Sequence, residues 1–182
     1  MEKRGRHSRL LIALIFVPFF VFSIFQFITP LAVKTGTVND LSGSTVIPDN
    51  ENNIQNLGFP WSTIYQLGDI LCHQRADRSF FINDNQMPFC ARCTAILVGI
   101  TVGIAFMFFY TIELDNRFLY LILIGIIPIG IDGVGQLFGA WESSNLVRVI
   151  TGSLIGFVCG IAICVIIDEL LEVIKKKHLL TY

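Results

Sequence analysis

Cys72-His73-Gln74-Arg75 is followed, eighteen positions after its cysteine, by Cys90-Ala91-Arg92-Cys93-Thr94, and the second block runs straight into an apolar stretch. Three sulfurs and an imidazole thus stand at the mouth of a predicted membrane helix. Cys90-x-x-Cys93 has the spacing at which two thiolates reach one tetrahedral ion, and Cys72 with His73 would complete a zinc-type set of three thiolates and one imidazole. Neighbouring residues on a helix point about 100° apart, so Cys72 and His73 can share an ion only where the helix ends or unwinds. A three-thiolate site with an open position, or with Asp69 assisting, avoids that constraint. Two other readings compete. One is a structural disulfide from Cys72 to Cys90 or Cys93, which an oxidising compartment permits. The other is a redox pair, Cys90 and Cys93 exchanging electrons with a partner thiol or a membrane quinone. The chain has 5 cysteines, an odd count, so at least one is unpaired within it. Cys159 and Cys164 lie in an apolar run and read as packing residues.

Two further blocks carry polar groups. Asp132-Gly133-x-x-Gln136 closes one apolar run, and its Asp and Gln, four residues apart, share a helical face. A carboxylate at membrane depth is costly and is a functional candidate by default; at a helix end it is simply a residue in headgroup water. Glu142-Ser143-Ser144-Asn145-x-x-Arg148-x-x-Thr151-Gly152 opens the next run. Arg148 is expected to form a structural ion pair with Asp132 or Glu142, with phosphate binding by its guanidinium fork as the alternative. Asp132 and Glu142 are the candidate acid or base. Arg78, Arg92, Gln136, Asn145 and Arg148 are candidate anion-binding residues, and Arg75 lies near them. Arginines so gathered suit a phosphate or carboxylate head group; the plainer reading is anchorage to anionic lipid. Ser79 and Thr94 have no histidine base except His73, so a Ser-His-Asp site is poorly supported.

These motifs must be positioned by helices in a membrane. Of 182 residues 53% are hydrophobic and only 15% charged, against roughly 25% in soluble domains. Net charge is −1, which gives no basic field for nucleic acid. Uncharged runs of about 20 residues can span a bilayer. Four spans are expected, over 10–33, 94–112, 118–140 (uncharged to Ile131 and extended if Asp132 lies within the membrane) and 146–167 (uncharged from Val149), with a loop over 34–61 and a surface helix over 62–74 carrying the first Cys-His pair. A cleaved signal peptide is the rival reading of the first run, but the run is long and no small-x-small site follows it cleanly. With four spans both termini share one side, which collects eight of the 13 Lys and Arg (Lys3, Arg4, Arg6, Arg9, Arg117, Lys175, Lys176, Lys177). The positive-inside rule then places both termini and the tail 168–182 in the cytoplasm. All the chemical motifs land outside. Residues 35–58 read as a loop with little core. Ser62 is a possible N-cap for the surface helix, with Ile64, Leu67, Ile70 and Leu71 as its apolar face. Ala95, Gly99 and Gly103 in one run, and Gly152, Gly156 and Gly160 in another, are small-xxx-small stripes that let helices approach closely. They join the second and fourth spans, or else two copies in a homo-oligomer.

Cys72-His73-Gln74-x-x-x-Arg78-Ser79-Phe80, Cys90-x-Arg92-Cys93-Thr94, Asp132-Gly133-x-x-Gln136 and Glu142-Ser143-x-Asn145-x-x-Arg148-x-x-Thr151-Gly152 occur in this order. Together they resemble an uncharacterised family of small archaeal and bacterial membrane proteins, over about residues 65–160. Ala76 and Ala95 stand where relatives more often carry Pro and Gly. The resemblance implies a class and not an activity. The second half is also loosely similar to VanZ-type membrane proteins. The expectation is an all-α, four-span bundle in contact with membrane lipid. At its outer end a zinc-type site (Cys72, His73, Cys90, Cys93) would adjoin a pocket for an anionic or lipid-linked ligand. A thiol oxidoreductase and a non-enzymatic scaffold stapled by disulfides are the alternatives.

Overall fold

The computed structural model describes residues 6–41, 43 and 48–179. Lys3 and Arg4 of the basic N-terminal run lie outside it. Four long helices dominate: α1 (Arg6–Ala32), α4 (Ala91–Phe109), α5 (Asn116–Leu137) and α6 (Asn145–Leu179). Each is long and apolar enough to cross a membrane. Between α1 and α4 lie the short α2 (Glu51–Ile54), α3 (Trp61–Leu71), a 3-10 turn (Ala76–Arg78) and a two-stranded hairpin, β1 (Phe81–Ile82) with β2 (Asn85–Gln86). The all-α membrane bundle expected from the sequence is the fold observed.

The helix ends differ from the hydropathy limits in instructive ways. α4 starts at Ala91 and takes in Arg92 and Cys93, because the Arg92 charge is paired within the bundle. α6 continues through Asp168 to Leu179, 35 residues in all. At 1.5 Å per residue it is about 52 Å long, well beyond a hydrocarbon core of about 30 Å.

Packing is tightest between α4 and α6. A Cβ on Gly99 would lie 2.7 Å from the Ser153 carbonyl oxygen, and one on Gly152 would lie 2.7 Å from that of Arg92. The two small-residue stripes therefore meet within one chain, backbone against backbone. Residues turned away from these contacts are apolar: Leu10, Leu14, Val17 and Ile124 are all exposed, as lipid-facing surface requires. A core of Ile12, Ile104, Met107, Phe118, Ile161, Cys164 and Val165 fills the terminal half of the bundle. Cys164 is buried there, as its reading as a packing residue expects.

The other end carries a folded cap. Val38, Leu41 and Ile54 are fully buried with Val33, Leu57 and Tyr65, so 35–58 has more core than its polar composition suggests. Two side chains hold it. Asn85 Oδ1 accepts from the backbone N–H of Thr37 (2.8 Å) and Val38 (3.0 Å), while its Nδ2 donates to the carbonyls of Pro30 (3.0 Å) and Lys34 (3.1 Å). It thereby serves carbonyls at the end of α1 that no helical turn can reach. Gln86 Oε1 accepts from Leu41 N–H at 2.9 Å, and its Nε2 donates to the Gln74 carbonyl. Asn83 and Asp84, both at φ +55°, form the two-residue turn of the hairpin.

α3 departs from expectation in detail. It begins at Trp61, with the N–H groups of Trp61 and Ser62 donating to Gly58 O at 3.0 and 3.2 Å, so Ser62 lies inside the helix and caps nothing. Its buried face is Ile64, Tyr65, Gly68 and Asp69, whereas Ile70 and Leu71 are exposed. The helix packs against α1 and the cap; Gln74 crosses Gly68 to donate to Pro88 O at 2.8 Å.

Candidate metal centre and arginine cluster

Cys72 ends α3. Its N–H closes the last turn on Gly68 O at 2.8 Å and its backbone is already extended. Cys90 is the N-cap residue of α4, and Cys93 lies in the first turn. The three Sγ atoms lie within 4.8 Å of one another. Sulfurs on a tetrahedral zinc, with Zn–S of about 2.3 Å, stand about 3.8 Å apart. The donor set thus fits a thiolate-loving ion with little adjustment. Cys90 N–H points at Cys72 Sγ at 3.4 Å, and the start of α4 adds the partial positive charge of a helix N-terminus. The Cys72 and Cys93 thiols, hydrogen-bonded to the Cys90 sulfur, hold the Cys90 thiol well below its ordinary range, and the same bond with Cys90 pushes Cys72 up. All five cysteines are free.

His73 does not join them. The chain is extended at Cys72, successive side chains point opposite ways, and His73 faces outward beside Asp40, Arg75 and Asp77. Among the described residues no fourth His, Cys, Asp or Glu lies with the three sulfurs. Asp69 is engaged elsewhere, accepting from Asn50 Nδ2 at 2.6 Å and Asn50 N–H at 3.2 Å.

The second block of polar groups lies directly against the first. Arg92, two residues after Cys90, forms an ion pair with Asp132 of α5. Asp132 is buried; its oxygens also accept from Gln136 Nε2 at 3.1 Å and Trp141 Nε1 at 3.3 Å. Gln136 Oε1 in turn accepts from Arg148 Nη2 at 3.4 Å, and Asn145 Oδ1 accepts from Arg148 Nη1 at 2.8 Å. A continuous chain thus runs Arg92–Asp132–Gln136–Arg148–Asn145 across α4, α5 and α6. The expected pairing of Arg148 with Asp132 or Glu142 is not what forms. Arg92 reaches Asp132 first, because the close α4–α6 contact brings the start of α4 to this level. Glu142 is exposed, and its charge acts on Arg75. Asp132, ion-paired and hydrogen-bonded on both oxygens, is poorly placed to exchange a proton.

Arg78 sits on the 3-10 turn, 3.7 Å from Asp77. Asp77 is already forked by Arg75 at 3.0 and 3.2 Å, which lowers its carboxyl below the usual range. The charges of Arg78 and Arg92 both act on Arg148, so the three guanidiniums share one neighbourhood. Arg75 stands outside it, exposed and paired.

Sequence reasoning missed Trp141, whose ring lies so close that a Cβ on Gly135 would be 2.6 Å from its Cε2. It also gave no role to Gln74, Asn85 or Gln86. The visible signal was Gln74 inside the Cys-His-Gln motif; Asn85 and Gln86 stand next to a turn and carry no period.

The fold and site define a polytopic helical membrane protein with a cysteine trio and an arginine network at the end of the bundle remote from its termini. Residues 72–165 match the family described as Predicted membrane protein (DUF2085), and the chain belongs to that family. It is similar to an uncharacterized protein of Methanocaldococcus jannaschii, 36% identical over 118 residues that cover 63% of this chain and 72% of that one. It is also similar to an uncharacterized protein of Methanothermobacter thermautotrophicus, 34% identical over 82 residues, 45% of this chain and 74% of that one. No solved structure matches the chain.

Proposed function

We propose that this membrane protein holds a zinc-like ion on Cys72, Cys90 and Cys93 at its extracytoplasmic end, beside a pocket in which Arg78, Arg92, Gln136, Asn145 and Arg148 receive an anionic or lipid-linked ligand. The observation that carries this reading is the convergence of three sulfurs, from two segments 18 residues apart in sequence, to within 4.8 Å. Three protein ligands leave a fourth position open, the arrangement through which such an ion polarises a bound oxygen. Asp132 supports Arg92 in this scheme and is not the acid or base.

The test is elemental analysis with thiol counting on detergent-purified protein. One metal per chain is expected, with three thiols shielded from alkylation until a chelator is added. Cys72→Ser or Cys90→Ser should abolish binding, and Cys159→Ser should leave it intact. A metal-free protein whose thiols appear only after reduction would sink the metal site in favour of disulfide or redox chemistry.

A further inference from the structure

The Arg148 side chain presents a charge problem that the protein does not solve by itself. It is 6% exposed, yet both its described hydrogen-bond partners, Asn145 and Gln136, are neutral amides. A buried guanidinium ordinarily finds an anion. The nearest buried carboxylate, Asp132, is taken by Arg92. The Nε atoms of Arg78 and Arg92 are buried with no hydrogen-bond acceptor, the carboxylate oxygen nearest that of Arg78 being Asp77 Oδ2 at 3.7 Å. Arg92 and Arg148 moreover sit in the first turns of α4 and α6, where the helix dipole disfavours a cation and favours an anion. Three guanidiniums face one buried carboxylate. Asp77, the carboxylate nearest Arg78, is exposed and already forked by Arg75.

The geometry points to a phosphate group as the missing anion, received jointly by Arg78, Arg92 and Arg148 where the 3-10 turn meets the starts of α4 and α6. This deepens the anion-binding half of the reading above and is independent of the metal half. The argument for phosphate over carboxylate is the number of forks. Three guanidiniums from three segments match a group with three or four acceptor oxygens, whereas a carboxylate offers two. The rim suggests how such a group arrives. Leu137 and Phe138 are each 81% exposed and Leu146 69%, so the end of α5 and the start of α6 present an apolar, lipid-facing edge. A lipid phosphate can enter sideways across it, and a soluble phosphate ester can enter from the aqueous side.

Calorimetric titration of the full-length protein in maltoside micelles, free of phosphate, tests this. Inorganic phosphate should bind at least ~10-fold tighter than acetate, and Arg148→Gln and Arg78→Gln should each weaken it about tenfold, the loss of one charge-assisted fork. Arg78 is half-buried on a short turn outside the long helices, so its variant keeps the test valid if Arg148→Gln does not fold. Dioctanoyl phosphatidic acid binding much tighter than glycerol 3-phosphate identifies the lipid source, and equal affinities identify the soluble one; both support the proposal. Acetate equal to phosphate overturns it while leaving an anion site. Absence of binding, or variants that bind like the parent, overturns it together with the anion pocket. Metal content of the same samples reports separately on the sulfur site.

Discussion

Two amides do most of the work of building the cap. Asn85 serves five backbone groups of the segment from Pro30 to Val38, and Gln86 joins Leu41, Gln74 and Ser79. Both side chains are fully buried, so truncating either leaves backbone donors and acceptors without partners or water. Each such orphan costs about 1–3 kcal/mol. Asn85→Ala and Gln86→Ala should therefore loosen the cap by a few kcal/mol, whereas Asn39→Ala, on an exposed side chain that donates only to Gly36 O, should change little. Limited proteolysis of 35–88 would measure the difference, and equal protease resistance in all three variants would refute the assignment. None of this was legible in the sequence, because side-chain bonds to backbone 45–55 residues away leave no period to read.

Helix contacts were more open to inference. The stripes at Ala95/Gly99/Gly103 and Gly152/Gly156/Gly160 announce close approach, and α4 and α6 use both on each other. Helix limits were legible only to within a turn or so, and at the tail of α6 not at all. Hydropathy stops at a charge, while a helix stops where its hydrogen bonds do. Arg92 hid the start of α4 in this way, and Asp168 hid the tail of α6. The choice of partner for Asp132 was illegible for a related reason. Arg148, 16 positions away, looks nearer than Arg92, 40 away, and only the packed stripes reverse that order. A matched pair of substitutions tests the packing. Gly156→Ala places a methyl against the Ile96 backbone, 2.9 Å from its Cα, and should cost about 1–3 kcal/mol as overpacking. Gly133→Ala on α5 meets nothing within 4 Å and should be neutral or slightly stabilising through helix propensity. Thermal unfolding in detergent compares them; similar losses at both positions would contradict the interlocked α4–α6 contact.

For the whole molecule the decisive quantity is orientation. Four spans put both termini at one end. Ser8 near the start of α1 bonds Asp168 toward the end of α6, while the sulfur trio and the cap lie at the other end. The lysine and arginine bias argues for cytoplasmic termini. An impermeant maleimide added to intact cells, after chelation and reduction, should label Cys72, Cys90 and Cys93 and spare a C-terminal cysteine tag, and inside-out vesicles should reverse the pattern. Labelling of the tag from outside would turn the proposed orientation over.

Asn85 grips the last carbonyls of α1 and stands only five residues before Cys90. One amide and a short tether thus join the end of the first helix to the sulfur that opens α4, so Asn85→Ala would release both neighbours of the cap at once.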